Sequence, residues 1–333
     1  MNCGALRSNS LFTSHYLQRC SWTLTCMLGI LCATQNSYAA AIVGSMQEPF
    51  NYPDTTQFAP TTLNGGQGWN ATGTTDPNDA GANWGVTLTA GNPSFRTATA
   101  PGLSYSAIGY LPASGNKLTL DAATPNQTQN IGRTLGGQTI DSGSTYFSLL
   151  MSKNNDTIRT MNWAFFNGTT ERFAVGMIGA TAGNTAGNIG MLMNNNNPAG
   201  LIQSSTPIAM GIGITHLLVG RIDWNASGNE TVSLWVDPSD VTTEAAAGTV
   251  YASTLAFELT AITAVRPFVG SSASVGGNTV PGTSGNFDEF RIGGTWESVT
   301  SLPVPTAVPE PTRVAMTALG LGVALLLRRR RRL

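Results

Sequence analysis

The chain has 333 residues, of which 41% are hydrophobic and only 11% charged, with 38 glycines. That balance excludes a helical cytosolic enzyme and fits an extracellular β protein with long polar loops. The net charge of -1 hides an acidic middle, since residues 42–312 hold 18 Asp or Glu against 9 Lys or Arg, a difference of nine; such a surface repels phosphates and excludes nucleic acid as a partner.

Residues 1–41 form a secretory signal, with Arg7 and Arg19 as the basic start, an apolar run from Cys20 to Ala33, and small residues at Ala39 to Ala41 suited to cleavage. An uncleaved membrane anchor is the alternative. Cys3, Cys20, Cys26 and Cys32 all lie in this segment. The remainder therefore has no disulfide, thiolate metal site or cysteine nucleophile.

A domain over residues 42–299 then consists of short strand patterns broken by Gly, Asn and Pro. NWGVTLTA puts Trp84, Val86 and Leu88 on one face, and NKLTLD does the same for Leu118 and Leu120. Ser144 to Ser152 is a buried strand; Thr160 to Asn167, Arg172 to Gly179 and Asn188 to Asn194 follow. Thr215 to Trp224 and Glu230 to Pro238 form a hairpin across NASGN, with Val232, Leu234 and Val236 on one face and Trp235 on the other. AAAGTVYASTLAF hints at a helix, against which Gly248 and its β-branched residues argue. NFDEFRIGG closes the domain. The pattern predicts an antiparallel β-sandwich.

Chemistry is sparse in this stretch. His216 is its one histidine, which rules out an ordinary zinc site and points to a structural role. No G-x-S-x-G elbow surrounds a serine. Asp288 and Glu289 are adjacent, so on a strand they point to opposite faces, one bonding a loop and the other facing solvent. Trp69, Trp84, Trp163 and Trp235 could offer a sugar-stacking platform, although most belong in a core, and Asn154, Asn155 and Asn194 to Asn197 could offer amides.

Residues 300–313 are a proline-rich linker containing Pro309, Glu310 and Pro311. Val314 to Leu327 then runs fourteen residues without a charge, and Arg328, Arg329, Arg330, Arg331 and Arg332 follow. As a helix the run covers about 21 Å, and snorkelling arginine stems narrow the gap to a hydrocarbon core. Residues 314–333 are thus expected to be a transmembrane helix with a cytoplasmic arginine stop.

The order Val308-Pro309-Glu310-Pro311, apolar run, arginine cluster resembles the PEP-CTERM sorting signal of Gram-negative bacteria. The resemblance implies an exported protein of the cell envelope or surface. It also implies an exosortase-like protease as partner, with inner-membrane anchoring before processing. Within the domain, His216, Asp223, Leu234-Trp235-Val236-Asp237 and Asp288-Glu289-Phe290-Arg291-Ile292 resemble the late strands of the concanavalin A-like (laminin G-like, LamG) jelly roll. Glu48 to Gly73 resembles the opening of exported proteins that carry this sandwich, where the first strand pairs with the last. Asp288, Glu289 and Arg291 are then fold markers.

Many laminin G-like domains hold calcium, and Asp76, Asn78 and Asp79 in GTTDPNDAGAN are candidate ligands, with a solvated turn as the alternative. Related glucanases use Glu-x-Asp-x-Glu on one strand, which this chain lacks. The expectation is a non-catalytic, exported surface or matrix protein, not an enzyme. A lectin-like binder of envelope carbohydrate or extracellular polysaccharide is the alternative, and an enzyme that degrades polysaccharide is the third reading.

Overall fold

Apolar runs separated by glycine, asparagine and proline become seventeen strands among the described residues. The computed structural model describes residues 45–301 apart from 51, 55, 58–65, 67–68, 70–83, 85–91, 111–114, 124–126, 180–186, 194–199, 226–227, 258 and 276–277. The chain divides into two units, Met1–Val43 and Gly44–Leu333, and every described residue belongs to the second.

The first sheet contains β1 (Ser45–Glu48), β2 (Arg96–Thr99), β3 (Lys117–Asp121), β6 (Ser144–Lys153), β11 (Thr215–Asp223), β12 (Glu230–Val236), β13 (Ala252–Phe257) and β17 (Ser284–Gly293). Its order is β13-β12-β11-β6-β17-β3-β2, and β1 shares the edge of β17 with β3. The second sheet contains β4 (Gln129–Asn130), β5 (Arg133–Thr134), β7 (Met161–Asn167), β8 (Thr170–Met177), β9 (Ile189–Met193), β10 (Leu201–Ile202) and β14 (Ala264–Val269). Here the order is β10-β9-β8-β7-β14, with β4 and β5 both on the far edge of β14. All pairings within these two sheets are antiparallel. The first strand does pair with the last, Met46 lying opposite Ile292.

The two inner faces meet in one apolar core. Period-two alternation sends Phe147, Leu149 and Met151 inward from β6, and Trp163 and Phe165 inward from β7. Trp163 stacks on Phe290 across the two layers at 4.2 Å between centroids, and Phe165 on Phe173 within the second sheet at 4.3 Å. Gly220 lies opposite Phe147, and a Cβ there would run into the Phe147 ring. Gly220→Ala is therefore expected to overpack the site and cost about 1–3 kcal/mol, read as a lower urea midpoint with unchanged slope.

The first sheet is covered on its outer face as well. Leu150, Leu217, Val219 and Trp235 point away from the main core and pack under Leu103, Tyr110, Val241 and the short helix α1 (Glu297–Thr300), with Trp296 and Val299. Trp235 thus faces away from Val232 and Leu234, as the alternation predicts. The segment after Thr243 forms a turn and then strand β13, not a helix. Of NWGVTLTA only Trp84 is described, and it is fully buried.

The architecture is an all-β, two-sheet antiparallel sandwich, and one part of the expected fold class is corrected. Among the described residues no helix is long and apolar enough to cross a membrane. Val314 to Leu327 and Arg328 to Arg332 lie outside the described residues. The C-terminal transmembrane helix is therefore removed from the fold description, and with it the membrane as partner and the inner-membrane anchoring.

Candidate functional site

The predicted fold markers come together on β17, in a way that adjacency alone did not foretell. Between Asp288 and Arg291 the register against β6 slips by one residue, a β-bulge, with Glu289 at φ 48°. Both carboxylates are buried. Asp288 accepts the Leu103 N–H (2.8 Å) and the Glu289 N–H (2.8 Å). Gly102 permits that approach, because a Cβ there would sit 2.9 Å from Asp288 Oδ2. Glu289 does not face solvent but accepts from Arg291 at 2.8 Å. Burial pushes the Asp288 carboxyl up to about 8, against the pull of the two N–H donors. These residues hold the strap around Leu103 onto the sheet.

His216 is buried, and its Nδ1 lies 2.7 Å from Asp237 Oδ2, while Asp237 Oδ1 accepts the Leu217 N–H at 2.9 Å. The pair ties the start of β11 to the end of β12. Trp69, Trp84, Trp163 and Trp235 are all buried and offer no outward stacking surface. Asn154 and Asn155 do not present free amides: Asn154 bonds Asn286 and Ser284, and Asn155 bonds the Gly282 carbonyl and the Ser284 N–H. Asn194 to Asn197 lie outside the described residues, as do Asp76, Asn78, Asp79, Pro309, Glu310 and Pro311. Among the described residues no group of three or more His, Cys, Asp or Glu could hold a metal.

The outer face of the second sheet is built differently. The residues of β7, β8 and β14 that alternate with the core positions are small in the middle, namely Ala164, Ala174 and Ala264. Around them stand Asn162, Phe166, Glu171, Arg266 and Phe268. A bulge in β8 sets Glu171 and Arg172 both opposite Phe166. The floor is buried, whereas Glu171, Arg172, Arg266 and Phe268 form a half-buried rim. Arg266 donates to Glu171 at 2.7 Å and lies 4.5 Å from the Phe166 ring centroid and 5.4 Å from that of Phe268. Burial pushes Glu171 above the usual carboxylate range, against the pull of Arg266.

Several buried polar atoms here have no partner, namely Asn162 Oδ1, Arg172 Nε, Arg266 Nε and Gln203 Nε2. Gln203 lies beyond β10 in space that Gly190 leaves free, since a Cβ on Gly190 would come within 2.8 Å of Gln203 Cγ. Unpaired buried polar groups are costly, so their gathering on one face marks it as the candidate site. The sequence carried one cue to this face, the alternation of Asn162, Ala164 and Phe166 with a core row, but no cue that Arg266 and Phe268 would join it.

Solved structures similar to this fold include carbohydrate-binding and carbohydrate-active β-sandwich proteins. Alginate lyase Aly36B is 10% identical over 76% of this chain and 97% of its own, with a TM-score of 0.41. The metal-free carbohydrate recognition domain of Emp46p is 8% identical over 67% of this chain and 93% of its own, with a TM-score of 0.38. The Bacillus licheniformis β-glucanase is 12% identical over 75% of this chain and 98% of its own, with a TM-score of 0.37. Likeness at this level concerns architecture and assigns no activity. No family model matches the chain, and no curated protein matches it.

Two expectations are corrected here. The PEP-CTERM assignment and its exosortase partner find no support in any matching family or protein, and they go no further. The expectation of a protein that is not an enzyme is withdrawn as well.

Proposed function

We propose that the chain is a carbohydrate-binding, lectin-like protein that takes a glycan on the outer face of its second sheet. The observation that carries this reading is the set of unpaired polar atoms on Asn162, Arg172, Gln203 and Arg266, gathered on one sheet face where Arg266 lies beside the rings of Phe166 and Phe268. A glycan offers both things such a face can use: hydroxyl and ring oxygens for the polar groups at its half-buried rim, and an apolar C–H face for the Phe268 ring.

The test is a glycan array on the whole chain, followed by titration of the best polymer against Asn162→Leu and Phe268→Ala. Each substitution is expected to weaken binding by about tenfold, the scale of one lost hydrogen bond or stacking contact. The same mixtures are assayed for new reducing or unsaturated ends, which separates binding alone from binding with cleavage. A chain that binds no glycan, or whose binding survives both substitutions, overturns the reading.

A further inference from the structure

We infer that the glycan taken by this face is an acidic one, bearing carboxylate or sulfate groups that Arg172 and Arg266 meet. The inference rests on the carbohydrate reading above and narrows it.

The charges of the two sheets differ in sign. On the strands of the first sheet stand five basic and six acidic residues. On those of the second stand Arg133, Arg172 and Arg266 against Glu171 alone. Arg133 turns inward to Glu48. The outer face is left with two guanidiniums and one carboxylate, in a stretch of chain acidic by nine charges. A positive locus on an otherwise acidic protein favours an anion there and disfavours it elsewhere.

Both guanidiniums are held with donors to spare. Arg172 gives Nη2 to Thr260 Oγ1 at 3.0 Å, and Arg266 gives Nη2 to Glu171. The Nε–H of each is unpaired but buried, and the guanidiniums meet solvent at the half-buried rim. A guanidinium fixed at one corner, and in Arg266 also flanked by the Phe166 and Phe268 rings, has already lost much of its side-chain freedom, so it can take a planar anionic group at low further cost. Glu171 then acts as an internal stand-in for the ligand's anion: it satisfies Arg266 in the free protein and competes with the glycan for it.

The experiment is calorimetric titration of the whole chain with a polyuronate, a sulfated galactan and a neutral β-glucan, at low and at high salt. Binding of at least one of the two acidic polymers is expected, tighter than that of the neutral glucan and weakened by salt. Arg172→Gln and Arg266→Gln should each weaken it by about tenfold or more. Glu171→Gln should strengthen it several-fold, because it frees Arg266. Thermal melts confirm that each variant is folded. Equal or tighter binding of the neutral glucan overturns the acidic-ligand inference and leaves the carbohydrate reading intact, as does a Glu171→Gln variant that binds as weakly as Arg266→Gln. Binding of none of the three overturns both.

Discussion

Glu48→Ala is expected to cost about 3–5 kcal/mol of folding stability, the usual effect of stripping one partner from a buried ion pair. Glu48 is fully buried, and its carboxylate is a hub. Oε2 pairs with Arg133 and accepts from Trp84 Nε1 (2.8 Å) and the Tyr52 hydroxyl (3.2 Å), while Oε1 accepts the Phe50 N–H (2.9 Å). Phe50 stands at φ 49°, a left-handed conformation that this bond helps to hold. Arg133 lies 4.0 Å from the Trp69 ring centroid, and burial lowers its pKa while Glu48 pulls it back. Alanine would remove the counter-charge from a guanidinium that has no route to water. Replacing both partners, Glu48→Leu with Arg133→Met, should recover much of the loss, because no buried charge remains. Urea unfolding of the parent and the two variants measures this. A single Glu48→Ala variant within 1 kcal/mol of the parent would show that the hub is not needed for stability.

The same hub shows what a sequence can and cannot announce. Glu48 stood in a patch that resembled a known sandwich and Trp84 in an alternating strand pattern, but nothing in either said that a carboxylate would be the centre of the core. Such a buried pair is set by tertiary packing, where local propensity has no say. Strands with clear alternation or long apolar runs, such as β6, β7, β11 and β12, were legible, because burying one face leaves its period in the sequence. Strand β14 was not. Arg266 and Pro267 break its apolar run, and proline is an unusual strand residue. The sheet absorbs it by splitting the neighbouring edge: β4 pairs with Phe268 and Val269, β5 with Ala264 and Val265, and residues 131–132 pass Pro267 between them. Missing β14 meant missing the candidate site, since Arg266 and Phe268 reach the rim only through that strand. The carboxylates of β17 were misjudged for a related reason. Period-two reasoning holds only where the register is regular, and a bulge sits between Asp288 and Arg291.

That bulge leads to the second large effect, a fall in stability as the solution becomes more alkaline. The Asp288 carboxyl is raised from 3.8 to about 8, first by burial and also by the neighbouring Glu289, while the two N–H donors and Lys117 oppose the rise. Between those values the native state keeps a proton that the unfolded chain gives up. Its contribution is fully present below about pH 4 and is lost as pH rises through about 8, at roughly 1.4 kcal/mol per unit of difference. Glu171, also raised, adds a slope of the same sign, so the parent curve alone does not identify the source. Asp288→Asn isolates it. The amide has one acceptor oxygen for the N–H groups of Leu103 and Glu289, so the variant should be less stable at pH 5, by about 1–3 kcal/mol for the donor left over. It cannot ionise, so the gap should narrow steadily toward pH 9 and can change sign. Urea midpoints taken at intervals across that range provide the comparison. Parallel curves, or a gap that widens with pH, would mean that the two N–H donors keep Asp288 ionised throughout. The strap at Leu103 would then be held by a charge-assisted bond rather than by a neutral acid.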